Sequence, residues 1–280
     1  MLLRVRHQTT YRYDAPIDYS IQALRMTPLP YEGQQVRHWS ISVNGRTGPG
    51  GIPDGYGNLT TVVTTPRRHR ELVVTVEGEV RTTDTGGVVR GVRETLPPAF
   101  YLRPTELTAA DEAIDALAAG NGPGDAQGDA QGDGTVLERL HLLMATLRGR
   151  IAYTTGVTGA ATTAAQALRQ GSGVCQDHAH AFIAVARRMG VPARYVSGYL
   201  LTPGAPSEAD AAHAWAEAHV DGLGWVGFDA ANGVCPTGSY VRTAIGLDYW
   251  SAAPVRGIWR GNAAEDLSVR VRVEDLGQEQ

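Results

Sequence analysis

The sequence predicts an α+β protein, in which an antiparallel β region over residues 1–100 precedes a region of mixed helices and strands over residues 101–280. Three observations lead to this prediction. Apolar and polar residues alternate with period two up to about Thr83, helical spacing first appears near Leu107, and helices and strands then follow one another. The chain length of 280 residues permits one or two domains.

Strands are predicted throughout the first region. Alternating segments run from Leu3 to Thr9, from Trp39 to Asn44 and from Glu71 to Glu77, and the stretch Gly55-Tyr56-Gly57-Asn58 reads as a turn. Because successive side chains of a strand point to opposite faces, such alternation is typical of a half-buried antiparallel sheet.

Composition and charge exclude several classes of protein. Hydrophobic residues make up 42% and charged residues 19%, and no apolar run approaches the roughly 18 residues of a membrane span. The net charge of -4 gives no basic footprint, so neither a nucleic acid nor a membrane is expected as a partner, and no cofactor is predicted. The start lacks a signal-like stretch and two cysteines suit a reducing compartment, so we expect a cytoplasmic location.

Three helices are predicted after the β region. They cover Leu107 to Ala119, with Gly120 as the stop, Val136 to Arg148, and Thr163 to Gln170 before Gly171. Between the first two, residues 120–134 repeat glycine and aspartate and are too polar to bury, which predicts a flexible loop without a function of its own.

Cys175 lies at the predicted start of a fourth helix, which ends before Gly190. The unpaired N–H groups and the macrodipole of a helix start stabilise an anion, so this position favours a nucleophilic thiolate. The backbone of Gly173 and Cys175 is the predicted contact for a substrate carbonyl. A buried structural cysteine is the alternative interpretation, and it is the one predicted for Cys235, which has no helix start beside it.

A thiol nucleophile needs a general base and a group that orients it. His213 is the predicted base because it begins a strand-like stretch that a hairpin turn connects to Asp229. His219, beside the turn, ranks second. The remaining histidines are predicted to be surface or hydrogen-bonded residues, or to point away from the thiol on its own helix: His7, His38, His69, His141, His178 and His180.

The register of this hairpin does not bring the predicted pair together directly. A regular four-residue turn would pair Val220 with Trp225 and leave Asp229 about three residues, or about 10 Å, out of step with His213. The sequence therefore predicts a bend or bulge in the hairpin. On the residues alone, a strand histidine and a turn-forming aspartate without a shared role remain the alternative.

Four segments together resemble bacterial transglutaminase-like proteins that carry an N-terminal β region: Gly173 to His180, Arg194 to Leu200, Ala212 to Glu217, and Gly224 to Asp229. The resemblance implies a papain-like core in which Cys175 on a helix faces His213 and Asp229 on adjacent strands. It also implies attack of the thiolate on a carboxamide and a thioester intermediate. Trp215, within the third segment, is a further candidate for contact with the substrate.

Several functions remain open at this point. Hydrolysis of a peptide or protein amide is the first expectation, and acyl transfer to an amine, as in a protein-glutamine transglutaminase, is the alternative. A metal-binding module would use the sulfur and imidazole groups between Cys175 and His180, although residues 178 and 180 diverge by about 200° on a helix. A catalytically inactive domain would keep the fold without the chemistry.

Overall fold

The computed structural model describes residues 1–120, 135–202 and 212–277, so most of the predicted loop at 120–134 lies outside the described residues. The strands are β1 Leu2–Ile17, β2 Tyr19–Thr27, β3 Gln34–Val43, β4 Arg46–Thr47, β5 Ile52–Pro53, β6 Leu59–Thr65, β7 His69–Thr82, β8 Val88–Val89, β9 Ala152–Tyr153, β10 Ser172–Gly173, β11 Ala193–Leu200, β12 Ala212–Val220, β13 Gly224–Phe228, β14 Tyr240–Gly246, β15 Val255–Arg260 and β16 Glu265–Asp275. The helices are α1 Glu112–Gly120, α2 Val136–Arg150, α3 Ala164–Gln170, α4 Cys175–Arg188 and α5 Tyr249–Ala252, with 3-10 helices at Pro98–Leu102 and Glu106–Thr108.

The N-terminal region consists of two antiparallel sheets with strand orders β16-β1-β7-β3-β4 and β15-β2-β6-β5. In β2 every second residue is buried, as period-two alternation predicts. Buried residues from both sheets form one apolar cluster, which includes Leu24 and Met26 of β2 and Leu72 and Val74 of β7. The predicted β region is therefore confirmed, with its core between the two sheets.

The last two strands return to these N-terminal sheets. β16 pairs with β1 from Tyr13↔Glu265 to Leu3↔Asp275, and β15 pairs with β2. The predicted division into residues 1–100 and 101–280 stays a prediction, but the pairing associates the last strands of the second range with the sheets of the first.

The core region contains a five-stranded antiparallel sheet, in the order β14-β11-β12-β13-β8, and the helices pack against it. Helix α4 crosses its inner face, where Phe182 stacks on Phe228 of β13 with ring centroids 5.0 Å apart. Helices α1, α2 and α3 pack on α4. The predicted α+β class, with the cysteine-bearing helix on an antiparallel sheet, is confirmed.

The predicted helix boundaries need one correction. α1 begins at Glu112 rather than Leu107, because Asp111 Oδ1 accepts hydrogen bonds from the N–H groups of Ala113 and Ile114 at 3.1 Å each and thereby fixes the start. No helix within the described ranges is long and apolar enough to cross a membrane.

Candidate active site

The start of α4 holds Cys175 in a partly buried position. Asp177 Oδ2 accepts hydrogen bonds from the Val174 N–H at 2.8 Å and from the Thr158 hydroxyl at 2.7 Å. This cap fixes the first turn, where the N–H groups have no partners within the helix. The predicted helix start at Cys175 is therefore present.

Gly173 serves this cap in the structure. A Cβ at Gly173 would lie 2.6 Å from Asp177 Oδ2, so a larger residue would push the capping carboxylate away. The Gly173 carbonyl accepts a hydrogen bond from the Thr154 N–H at 2.8 Å and is thus already engaged. Its predicted contact with a substrate stays a prediction, and the geometry gives a structural reason for the glycine.

The structure brings the three predicted residues Cys175, His213 and Asp229 together. His213 Nε2 lies 2.6 Å from Asp229 Oδ2, and Cys175 is close enough to the His213 ring to contribute to the rise of its pKa. Because Nε2 is taken by the carboxylate, Nδ1 is the ring nitrogen that remains for the thiol. His213 thus lies between a potential nucleophile and a carboxylate.

The predicted register of the hairpin was wrong by one residue. Val220 pairs with Gly224, and Ala216 pairs with Phe228, so Asp229 falls opposite Trp215. Its offset from His213 is two residues instead of three, which puts both side chains on the same face of the sheet. A diagonal contact then joins them without the bend that we predicted.

The turn explains this difference. Residues 221–223 form a three-residue loop, closed by a hydrogen bond from the Leu223 N–H to the Val220 carbonyl at 3.0 Å. Gly222 and Gly224 have φ values of 82° and 85°, a conformation that glycine adopts without strain. Gly224 therefore belongs to β13 and pairs with Val220, whereas the prediction placed it in the turn.

The two carboxylate oxygens of Asp229 accept hydrogen bonds from different groups. Oδ1 accepts the N–H groups of Ala231 and Asn232 at 3.1 and 3.2 Å and forms the turn that the alternative interpretation predicted. Oδ2 accepts His213 together with the Asn232 side-chain amide and the Tyr240 hydroxyl, each of the latter at 2.7 Å. Asp229 therefore both forms the turn and bonds to His213.

Asn232 and Tyr240 were missed as site residues by the sequence reasoning. The turn signal Asn232-Gly233 marked the first as a loop residue, and nothing in the sequence connects Tyr240 of β14 with β13. The position of an aspartate between a histidine and an Asx turn could have suggested Asn232 as a second donor. Tyr240 becomes visible only through the packing of its ring 5.9 Å from that of His213.

These contacts favour an ion pair of imidazolium and carboxylate. Burial alone would lower the pKa of His213, but the hydrogen bonds to Asp229 and Cys175 and the charges of both groups raise it to about 10. Burial would raise the pKa of Asp229, whereas the hydrogen bond and charge of His213, with the donors Asn232 and Tyr240, lower it. Protonated His213 is the form that would stabilise a thiolate beside it.

Trp215 flanks the base. Its ring stacks on His213 with centroids 6.3 Å apart at an angle of 26°, and it is only 3% exposed. Gly198, opposite His213 on β11, makes room for this ring, because a Cβ there would lie 2.8 Å from it. Trp215 thus holds the imidazole plane, and contact with a substrate stays a prediction for it.

The other candidates have structural partners. His178 contacts the carbonyls of Val174 and Ile151 at 2.9 and 3.0 Å, and His180 accepts the Tyr249 N–H at 3.0 Å. Within the described ranges, no three His, Cys, Asp or Glu side chains converge as metal ligands would. Among the described contacts, the metal-binding alternative therefore has no ligand set.

Cys235 provides an internal contrast. It packs against the core near Gly87, where an added Cβ would lie 2.8 Å from the Cβ of Cys235. Burial raises the pKa of its thiol, and no histidine or helix start accompanies that effect. The environment agrees with the structural role predicted for it.

Comparison with known proteins gives two matching family models. The model of the transglutaminase-like superfamily matches residues 126–230, and that of the bacterial transglutaminase-like N-terminal region matches residues 3–81. An uncharacterized protein of Mycobacterium leprae is 31% identical over 287 residues, which cover 98% of this chain and 99% of that protein. One of Mycobacterium tuberculosis is 27% identical over 292 residues, covering 96% and 91%.

Among solved structures, a candidate cysteine protease from Cytophaga hutchinsonii has a similar fold. The TM-score is 0.74 at 22% sequence identity, and the match covers 98% of this chain and 91% of that one. At this identity the likeness concerns the fold, which extends over both the β region and the core.

Proposed function

Because this chain belongs to the transglutaminase-like superfamily, we propose that it is a thiol enzyme that cleaves amide bonds through Cys175, His213 and Asp229. One observation carries the proposal: His213 forms a hydrogen bond with Asp229 through Nε2, and Cys175 lies close enough to the ring to contribute to the rise of its pKa. Thiol catalysis requires a nucleophile, a base beside it and a carboxylate that orients the base.

The proposed reaction begins with transfer of the thiol proton to His213 Nδ1. The thiolate attacks the carbonyl carbon of a peptide or protein amide, so that a C–S bond forms and the electron pair of the C=O bond moves to oxygen. In this proposal the Cys175 N–H and the positive end of α4 stabilise the oxyanion. Collapse breaks the C–N bond, and His213 gives its proton to the leaving amine.

Water then resolves the thioester. His213 takes a proton from water, the hydroxide attacks the acyl carbon, and the C–S bond breaks to release a carboxylic acid and the thiolate. Asp229 stays ionised and holds the imidazolium throughout. The partly exposed position of Cys175 supports hydrolysis, because water can reach the acyl group without a rearrangement.

The first test is selective alkylation. With limiting iodoacetamide near neutral pH, we expect Cys175 to be labelled at least about tenfold faster than Cys235, as peptide mapping by mass spectrometry would show. The variants Cys175→Ala and Cys235→Ala are the matched pair, since only the first should lose the fast phase. Equal and slow labelling of both thiols would contradict the proposed chemistry.

Product analysis separates hydrolysis from acyl transfer. Peptide cleavage in H₂¹⁸O with monodansylcadaverine present should place ¹⁸O in the new carboxyl group. Release of ammonia or amine with incorporation of the fluorescent amine into a new amide would instead identify a transglutaminase and remove hydrolysis as the main reaction.

A further inference from the structure

A groove of about 650 Å³ lies where the N-terminal sheets meet the core. Parts of the chain that are far apart in sequence contribute to its walls: Tyr11, Gln22, Ala160, Trp250, Trp259 and Leu267. Its volume falls in the range of about 300–1,000 Å³ that is typical of ligand sites. The N-terminal sheets thus form this concave surface together with the core region.

Both walls of the groove are connected to the helix of Cys175. The carbonyl of Ala160 accepts a hydrogen bond from the side chain of Gln176 at 3.4 Å, and Gln176 directly follows the nucleophile. On the other wall, Trp250 follows Tyr249, whose N–H donates to His180 of α4 at 3.0 Å. These two hydrogen bonds link residues of both walls to α4, the helix that carries the thiol.

Gln22 is a buried polar residue of this groove, which three aromatic residues and the charged residues Arg256 and Glu265 also line. The residue is 2% exposed, and its Oε1 finds no hydrogen-bond partner in the described part of the chain. Gly257 lies opposite it, and a Cβ there would stand 1.8 Å from Oε1, so the glycine is what allows this side chain its position. A buried amide without a partner is unfavourable, and a bound ligand would satisfy it.

The rest of the groove suits an aromatic side chain. Trp250 is 40% exposed on the rim, and Tyr11 and Trp259 lie deeper. Aromatic rings pack on one another with specific offset or edge-to-face contacts. A carboxamide such as Gln22 can pair with the N–H and C=O of a peptide group, since it carries both a donor and an acceptor.

We infer that this groove binds the substrate peptide next to the scissile amide, with an aromatic side chain against Trp250 and a backbone amide paired with Gln22. The inference rests on the proposed function. It assigns the N-terminal sheets a role in substrate selection, because Tyr11 and Gln22 belong to β1 and β2.

The test uses a library of peptides from denatured serum albumin, cleaved by the full-length protein and read by mass spectrometry. Wild-type protein should favour an aromatic residue at one fixed position within three residues of the cleaved bond. Trp250→Ala should lower that preference at least about fivefold, and Gln22→Leu should lower cleavage of all peptides about tenfold while the preference remains.

Ile258→Ala is the matched control, because Ile258 is 64% exposed on the same strand as Trp259 and does not line the groove. Iodoacetamide labelling of Cys175 should stay within about twofold in all variants, which also reports that they fold. An unchanged preference in Trp250→Ala, or no peptide cleavage by a protein whose Cys175 reacts fast, would overturn the inference and leave the thiol chemistry standing. Slow labelling of Cys175 in the wild type would instead contradict the proposed function.

Discussion

Strand β12 carries two buried ionisable side chains on one face, and they differ in whether they keep an atom free for a further partner. His213 bonds to Asp229 through one ring nitrogen and keeps the other for Cys175. Four residues further on, Glu217 is 0% exposed and is bonded by Arg194 and Arg242 at 2.7 Å each. The first pair can exchange a proton with a thiol. The second is a closed cluster, in which both carboxylate oxygens of Glu217 are bonded to arginine side chains.

This difference indicates that burial alone does not make a charged group reactive. The Glu217 cluster is the more buried of the two, and Glu94 joins it through Arg194 at 2.8 Å, so two carboxylates face two guanidinium groups. Because its charges compensate one another, it holds the sheet edge together. At the His213 site only one ring nitrogen is paired with a carboxylate, and Cys175 lies next to the ring.

The largest effect that the comparison predicts is on catalysis. Asp229→Asn keeps an acceptor for the turn but removes the charge that holds the imidazolium, so kcat/KM for peptide cleavage should fall by roughly 10³–10⁴-fold. Urea unfolding should show that the protein remains folded. Asp221→Asn, on the exposed turn of the same hairpin, is the control and should retain kcat/KM. A loss below tenfold in Asp229→Asn would show that His213 needs no orienting charge.

The closed cluster should respond in stability. Glu217→Gln removes the carboxylate charge that two buried guanidinium groups share, of which only Arg194 keeps a second carboxylate, and we expect about 3–5 kcal/mol of lost unfolding free energy in urea. Glu71→Gln is the control, because its pair with Arg12 is 52% and 64% exposed and contributes about 0–1 kcal/mol. If both variants lost the same amount, burial would not distinguish this cluster from a surface pair.

The two sites should also lose stability at opposite ends of the pH range. The folded pKa of His213, raised from 6.5 to about 10, stabilises the fold fully below pH 6.5, and this contribution disappears as pH rises to about 10. Burial would raise the pKa of Glu217, but the two arginines lower it from 4.5 to about 2, so its contribution is lost on acidification towards pH 2. Urea midpoints measured across pH should fall at both ends, and Asp229→Asn should flatten only the alkaline decline.

The smallest predicted effect comes from the donors around Asp229. Tyr240→Phe removes one hydrogen bond to Oδ2 while the ring keeps its packing against Trp215, so kcat/KM should fall by about 3- to 10-fold. Tyr199→Phe, which loses a hydroxyl contact with His7 away from the site, is the matched control. An effect as large as that of Asp229→Asn would mean that the tyrosine does more than support the carboxylate.

Local signals in the sequence predicted much of this arrangement. The helix at Cys175 followed from apolar spacing and flanking glycines, and the strands of the β region followed from alternation, because both depend on neighbouring residues. The predicted hairpin register was wrong because it depends on whether Gly224 belongs to the turn or to the following strand, and a shift of one residue reverses the face of Asp229.

What could not be predicted depends on contacts between distant segments. Tyr240 of β14 contacts Asp229 although β11 and β12 lie between β14 and β13 in the sheet, and the groove needs residues from both ends of the described chain. The pairing of β16 with β1 could not be predicted for the same reason, because the alternation of a strand does not indicate which strand it pairs with.

That last pairing also sets an order of events during translation. Domains generally fold from the N-terminal side as the chain emerges from the ribosome. Here β1 is made first but receives its neighbour β16 only after the core has been synthesised. Trp259 and Leu267, which line the groove, appear in the same late segment. Helix α4 with Cys175 is therefore synthesised before β15 and β16, which contribute Trp259 and Leu267 to the groove.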